Sequence, residues 1–352
     1  RMPFKRSQSG FVLVATLWVL AALTLLASYI ATIAETNVEI AIQTRAQINQ
    51  KLDRMGTRAT LIYLISTNAA DHRSIILKQE QQFSGLLSID VPSDKADSDS
   101  ELNLTGTIYM GPGETRFSLQ DESGLVNVNS PQIPLFKKAL RQSGIEEFDA
   151  AILIARLRDY IDSDHRQLLN GAEQFEYRQQ SVPLPANGLL ATPLELKKVL
   201  EFDELMTREQ WRKLLPMLSA RQAVGYNLNV MPAEVISTLL DISVEKSQEL
   251  VSLRNEKRIN NMQQVEDATG ELVIFDEDTL LSSPSRFIRI KLWNPGSGQR
   301  FVTGVEFTPF VRRSPWRIDY QYTEVIHETD IINVDRETNT GEAQPVSLSL
   351  LQ

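Results

Sequence analysis

The chain has 352 residues, no cysteine and a formal net charge of −9. The missing cysteine excludes disulfides, thiolate metal ligands and cysteine nucleophiles. The acidic balance excludes a basic nucleic-acid footprint, the more so because Arg1, Lys5 and Arg6 all precede the rest of the chain. The length allows one large or two moderate domains.

From Phe11 to Ala34 no side chain is charged. A helix needs roughly 20 apolar residues to span about 30 Å of hydrocarbon, so this run predicts a transmembrane segment. Lys5 and Arg6 on one side, with Glu35 and Glu39 on the other, place the N-terminus in the cytoplasm and the bulk of the chain outside. A discarded secretory signal would stop at its small residues, whereas Ala27 and Ser28 are followed by more apolar chain. The chain opens on Arg1, and a start at Met2 and further residues upstream are both open.

Gly10, at the edge of the leader, is followed by Phe11. This junction resembles the cleavage site of type IV prepilins and pseudopilins. The resemblance implies cutting between Gly10 and Phe11 by a prepilin peptidase and N-methylation of Phe11. It departs from that pattern at the fifth mature position, usually glutamate, which is Ala15 here. An uncut signal anchor is the plain alternative.

Beyond the run, Val38, Ala41, Ile48, Leu52, Met55, Ala59 and Ile62 follow one helical stripe. One unbroken helix from Phe11 to Ser66 would be about 84 Å long. The acidic run from Ser93 to Glu101 predicts a solvated loop. Leu102–Tyr109 and Thr115–Leu119 predict strands around a turn at "GPGE". A mainly helical stretch then runs to about Asp278. Strand character returns at Arg286–Trp293, where Ile288, Ile290 and Leu292 alternate with Arg289 and Lys291, and continues at Arg300–Phe307 and from Trp316 to Tyr322. Arg336–Gln352 is expected to be a loose tail.

The fold class expected is therefore α+β: a pilin-like long N-terminal helix plus a small antiparallel sheet, interrupted by a large all-helical insertion. The expected divisions are a cytoplasmic leader (1–10), a transmembrane helix (11–34), the first part of the pilin-like domain (35–125), a helical insertion (126–280), completion of the sheet (281–335) and a tail (336–352).

Within the insertion, "VNVNSP" from Val126 and "LNVMPA" from Leu228 look alike, and each precedes an apolar helix and then an arginine-bearing one. These two units resemble helix-hairpin-helix or SAM-like repeats. The second hairpin, "DISVEKS", places Asp241 and Ser243 where glycines would free backbone amides for phosphate, and the first keeps only Gly144. Nucleic acid is therefore not an expected partner.

The densest polar cluster is "LRDYIDSDHRQLLNGAEQFEY", Leu157–Tyr177. Its carboxylates suit calcium, which takes six to eight oxygens. Asp162, Asp164 and Glu173 fall at the first, third and twelfth positions of an EF-hand spacing. Arg166 and Gln167 occupy its fifth and sixth, so the loop is not an EF-hand. Asp159 and Glu176 compete for the ligand role. The alternative is a solvated acidic loop, with Arg158 and Arg166 as its counter-charges. A carboxylate pair could also serve acid–base chemistry, but only His165 is at hand and no nucleophile motif accompanies it. His72 and His327 are isolated. No enzyme activity is expected.

The glycine-ended leader, the missing fifth-position glutamate, "DESGLVNVNS", "LRDYIDSD", "NGAEQFEY", "PANGLLATPLEL", "NLNVMPAEV" and "SRFIRIKLWN" occur in this order over nearly the whole chain. Together they resemble the minor pseudopilin K family of type II secretion. The resemblance implies a place at the tip of a periplasmic pseudopilus anchored in the inner membrane, with minor pseudopilins I and J as partners and H beneath them. There it would initiate assembly, with the secretin and secreted proteins as further contacts. It also implies calcium in the helical domain, with Asp162, Asp164 and Glu173 as ligands. A type IV pilus minor pilin and a membrane-anchored DNA-uptake protein are the alternatives.

Overall fold

The computed structural model describes residues 9–77, 88–90, 100–129, 133–221, 225–309, 311, 314–326 and 347–349. Residues 1–8, most of the acidic run at 93–101, His327 and most of the tail lie outside these. Two compact units divide at residue 55.

The first unit is the N-terminal part of α1 (Ser9–Thr67), with Gly10 and Phe11 in its opening turn. No proline interrupts it, and its hydroxyl side chains fold back onto their own helix, as where Thr24 donates to Ala21 O. Every residue from Val12 to Asn49 is exposed. The helix is long and apolar enough to cross a membrane. Along the amphipathic stripe Val38, Ile48, Leu52 and Met55 are exposed and Ile62 is buried.

The second unit has two apolar cores. One gathers Leu61, Ile62 and Leu64 of α1 against one face of the antiparallel sheets. After β1 (Ala69–Ala70), β2 (Ser74–Leu77), β3 (Ser88–Asp90), β4 (Ser100–Asn103), β5 (Thr105–Met110) and β6 (Arg116–Asp121), the chain leaves the sheet. It returns as β9 (Phe287–Trp293), β10 (Gln299–Phe307) and β11 (Trp316–Val325). The main sheet runs β11-β10-β9-β6-β5, antiparallel throughout. Thus β6 and β9 are hydrogen-bonded neighbours although the whole helical region separates them in sequence.

The expected single strand at Leu102–Tyr109 is instead two strands in different sheets. Leu104 is fully buried between them. Its N–H donates to Arg73 O and its carbonyl accepts from Asp121 N. Gly106 has φ +86° where the register shifts. The tail expectation is also corrected in part, since β12 (Ser347–Ser349) pairs antiparallel with β3.

The second core belongs to the helical region. Its elements are β7 (Val126–Asn127), α2 (Ile133–Gln142), α3 (Glu147–Ile161), α4 (Gln174–Gln179), α5 (Phe202–Leu205), α6 (Arg208–Leu214), β8 (Leu218–Ser219), α7 (Ala233–Leu240), α8 (Val244–Glu256) and α9 (Met262–Thr269). The helix pairs α2/α3 and α7/α8 each follow an Asn-x-Asn segment with matching bonds. Asn127 Oδ1 accepts from Asn129 N, and Asn227 Oδ1 from Asn229 N. The second asparagine then grips a remote residue by both main-chain groups, Leu190 for Asn129 and Ile259 for Asn229. The turns also correspond: Gly144 after α2 has φ +98° and Asp241 after α7 has φ +60°. Asp241 is thus an aspartate in a left-handed position usually given to glycine, and it pairs at 3.3 Å with Lys138 of α2.

Candidate metal centre

Two of the motifs form the joint between helical region and sheet. Asp121 ends β6, fully buried; its Oδ1 accepts from Ser123 N and Ser285 Oγ, and its Oδ2 from Ser285 N. It therefore ties the departing strand to the returning one. Burial pushes its carboxyl above the usual range against the pull of those donors. Glu122, 2% exposed, accepts from Arg289 Nε at 3.0 Å, from Ser219 Oγ at 2.8 Å and from Tyr320 OH. Arg289 also donates to Leu218 O at 2.7 Å. Burial would lower the Arg289 guanidinium, but Tyr320 and Glu122 hold it well above its ordinary value. Gly124 lies so close to Val230 that a Cβ there would meet its carbonyl oxygen at 2.8 Å. "DESG" and "SRFIRIK" are therefore read as structural: they staple the insertion onto the sheet face opposite α1.

The acidic cluster sits at the far end of α3. The helix stops at Ile161, and Asp162 is its C-cap in an extended conformation. Asp159 and Asp162 therefore part, although a continuing helix would hold them on one face. Asp159, fully buried, turns inward and accepts from Leu168 N at 3.1 Å. Burial raises its pKa first, and the nearby Asp162 and Asp164 add to that. Gly171 is required here, since a Cβ at that position would lie 1.9 Å from Asp159 Oδ2. Glu176 is engaged as well: its Oε2 accepts from Glu173 N at 2.9 Å, closing the first turn of α4.

Asp162, Asp164 and Glu173 remain, and the fold brings them together. One oxygen from each lies within 4.8 Å of the others. Oxygens bound to one calcium at 2.3–2.6 Å stand at most about 5 Å apart, so the spacing suits that ion. Glu173 is 6% exposed. Both its carboxylate oxygens and Asp162 Oδ1 are buried without a hydrogen bond of full geometry among the described residues, although the Gln174 and Glu176 N–H groups that open α4 lean toward the Glu173 carboxylate. Burial raises the Asp162 and Glu173 pKa values, and neighbouring carboxylates raise them further. Buried carboxylates whose oxygens lie this close together leave a desolvation and repulsion cost that a cation would offset. Asp164 is exposed and takes a hydrogen bond from Arg166 N. Arg166 and Gln167 are thus loop-shaping residues, consistent with a non-EF-hand geometry. Neither His72, bonded to Asp71 at 2.6 Å, nor exposed His165 joins a group with nucleophile geometry.

This architecture defines a class: a long apolar helix leading into an antiparallel sheet that a helical domain interrupts. A family model described as type II secretion system (T2SS), protein K, matches residues 115–223. Type II secretion system protein K of Klebsiella pneumoniae is 30% identical over 132 residues, covering 34% of this chain and 39% of the relative. The protein of the same name from Pectobacterium carotovorum subsp. carotovorum is 31% identical over 113 residues, 32% of this chain and 33% of the relative. The matches thus span between a third and two fifths of those relatives. A chain of the crystal structure of the GspK-GspI-GspJ complex from the enterotoxigenic Escherichia coli Type 2 Secretion System superposes with a TM-score of 0.50 at 15% identity. It covers 80% of this chain and 99% of that one, which shows a shared fold. The chain resembles type II secretion system protein K, and residues 115–223 match that family's model.

Proposed function

We propose that the chain is a non-enzymatic minor pseudopilin at the tip of a type II secretion pseudopilus. It would start filament assembly and support export of folded proteins. The observation that carries this is the coincidence, in one chain, of an uncovered apolar helix with a sheet interrupted by the protein K domain. Minor pseudopilins I and J are the proposed neighbours, because the structurally similar chain comes from a complex that carries those names. H beneath them, the secretin and secreted substrates complete the partner set.

Residues 1–10 are assigned as a cytoplasmic leader removed after Gly10 by prepilin peptidase, residues 11–34 as a single inner-membrane span and the remainder as periplasmic. The helix pairs α2/α3 and α7/α8 are assigned as two copies of one helix-hairpin-helix or SAM-like unit, supported by their matching Asn-x-Asn bonds. Asp162, Asp164 and Glu173 are assigned to calcium. Bound there, the cation neutralises the buried carboxylates and joins the end of α3 to the start of α4. Its role is structural, and Asp159 and Glu176 position the loop around it.

The test is mass spectrometry of the full chain expressed with and without a prepilin peptidase. A product beginning at N-methylated Phe11 only when the peptidase is present supports the reading. A leader retained in both cells, or a cut near Ala27, overturns it.

A further inference from the structure

The helical region and the outer end of the sheet enclose a cleft of 690 Å³. Its charge is the reverse of the chain's. Five cations line it (Lys197, Arg208, Arg212, Lys291 and Arg300) against two carboxylates, Asp203 and Glu324, although the whole chain carries −9. Both carboxylates are engaged, Asp203 with Lys197 at 3.3 Å and Glu324 with Arg300 at 3.7 Å. Arg208 and Lys291 have no ion pair within 4 Å among the described residues.

Two further donors of the lining are buried without acceptors: the indole Nε1 of Trp211, a side chain only 5% exposed, and Nε of Arg300. Buried donors without partners are rare in folded proteins and costly. Here they share one cleft with unpaired cations, so the missing group is an acceptor-rich anion. The remaining walls are apolar, from Met206, Leu215 and Pro216 on one side and Val325 on the other. Val325 ends β11, the outer strand of the main sheet among the described residues, whose outer edge can add main-chain hydrogen bonds to an extended peptide.

We propose that this cleft docks an extended peptide segment of a partner protein, one that carries carboxylate side chains between apolar residues. Lys291 and Arg208 bind the carboxylates, Trp211 Nε1 donates to one of their oxygens, and the apolar walls hold the flanking side chains. This adds a partner chemistry to the pseudopilin reading, yet failure of processing at Gly10 would strike that reading and leave the cleft untouched.

The test is fluorescence anisotropy of the full chain in detergent with a dye-labelled pentapeptide, Val-Asp-Ile-Glu-Val, and its amide counterpart, Val-Asn-Ile-Gln-Val. The acidic peptide should bind at least about 10-fold more tightly, as charge-assisted bonds are the strong ones, and should weaken with salt. R208Q and K291Q should each weaken it about 5-fold, W211F about 2-fold, and K246Q on α8 should leave it unchanged. Arg208 is exposed, so its variant remains informative if K291Q unfolds. Equal binding of the two peptides, or insensitivity to R208Q and K291Q, overturns the proposal. So does full displacement of the peptide by inorganic phosphate at equal concentration, which makes the cleft a small-anion site. Binding that appears only in the D330N/D335N variant overturns it as well, by making the chain's own acidic residues the occupant.

Discussion

Glu173 shows what a single buried carboxylate implies. Burial first, then the neighbouring Asp159 and Asp162, raise its pKa against the pull of the N–H groups that open α4, so its charge destabilises the cation-free fold, and the sign of a substitution follows. E173Q should raise the melting temperature of the calcium-free protein, by about 1 kcal/mol of stability. It should also abolish the rise expected of the wild type at the proposed calcium site, about 2.7 kcal/mol at a hundredfold excess over Kd; differential scanning fluorimetry with calcium or chelator reads both. A fall in the chelated state would mean that the N–H groups opening α4 more than offset the burial of the Glu173 charge. G171A should cost about 1–3 kcal/mol through the clash with Asp159, and weaken calcium binding in the same titration. Lys291 supplies a pH dependence. Burial lowers its pKa to about 8, with Arg289 and Arg300 adding to that and Glu324 opposing. Because the side chain keeps some solvent contact, the effect is discounted and stated as a direction. Between pH 8 and about 10.4, the ordinary lysine value, the unfolded chain binds more protons than the folded one, so this group's contribution rises with pH. Below pH 8 its penalty is fully present. Urea titrations at pH 7 and 9.5 should show K291M gaining most at pH 7, and an equal gain at both would refute the shift. The sequence put five carboxylates of this loop forward, with Asp162, Asp164 and Glu173 singled out by the resemblance. What separated Asp159 and Glu176 from them was not legible there, because it depends on α3 ending at Ile161 and on a hydrogen bond within the first turn of α4.

At the scale of elements, periodicity revealed the long helix, the return of the sheet and the two helix pairs, because each is a local pattern. It failed where a distant residue decides. Leu104 divides a strand by bonding to Arg73 and Asp121. The alternation of Arg289 and Lys291 with apolar residues is local, and nothing in it shows that the helical region covers that face and leaves Arg289 1% exposed. The Asn-x-Asn segments were visible as a repeat, but their targets lie 61 and 30 residues away. Those targets make the asparagines testable. N129A and N229A each strip both main-chain groups of one buried residue of a partner. Each should therefore destabilise by about 2–3 kcal/mol, measured by chemical denaturation. The two losses should add, since separate clamps are broken. A loss under about 0.5 kcal/mol at either site would remove the equivalence of the two units.

For the whole molecule, burial separates what anchors from what folds. Residues 12–49 are exposed without a break, and the core side chains that α1 supplies begin only at Leu61. No side chain of that stretch is buried among the described residues. Its exposed apolar surface lies far above what a soluble monomer tolerates, so the full chain should need detergent. A chain starting at Arg45 keeps every α1 residue of the core, together with the helical turns that precede them. It should be soluble and monomeric without detergent. It should melt within about 1 °C of the full chain, less than the roughly 2–4 °C that 1 kcal/mol moves a domain of 150–250 residues, and keep the shift expected at the proposed calcium site. Sedimentation velocity and a thermal melt decide the matter. A lowered melting point would show that the helix before Arg45 packs on the folded unit. Aggregation would show that apolar surface needing cover extends past the membrane run, into the stripe at Ile48, Leu52 and Met55.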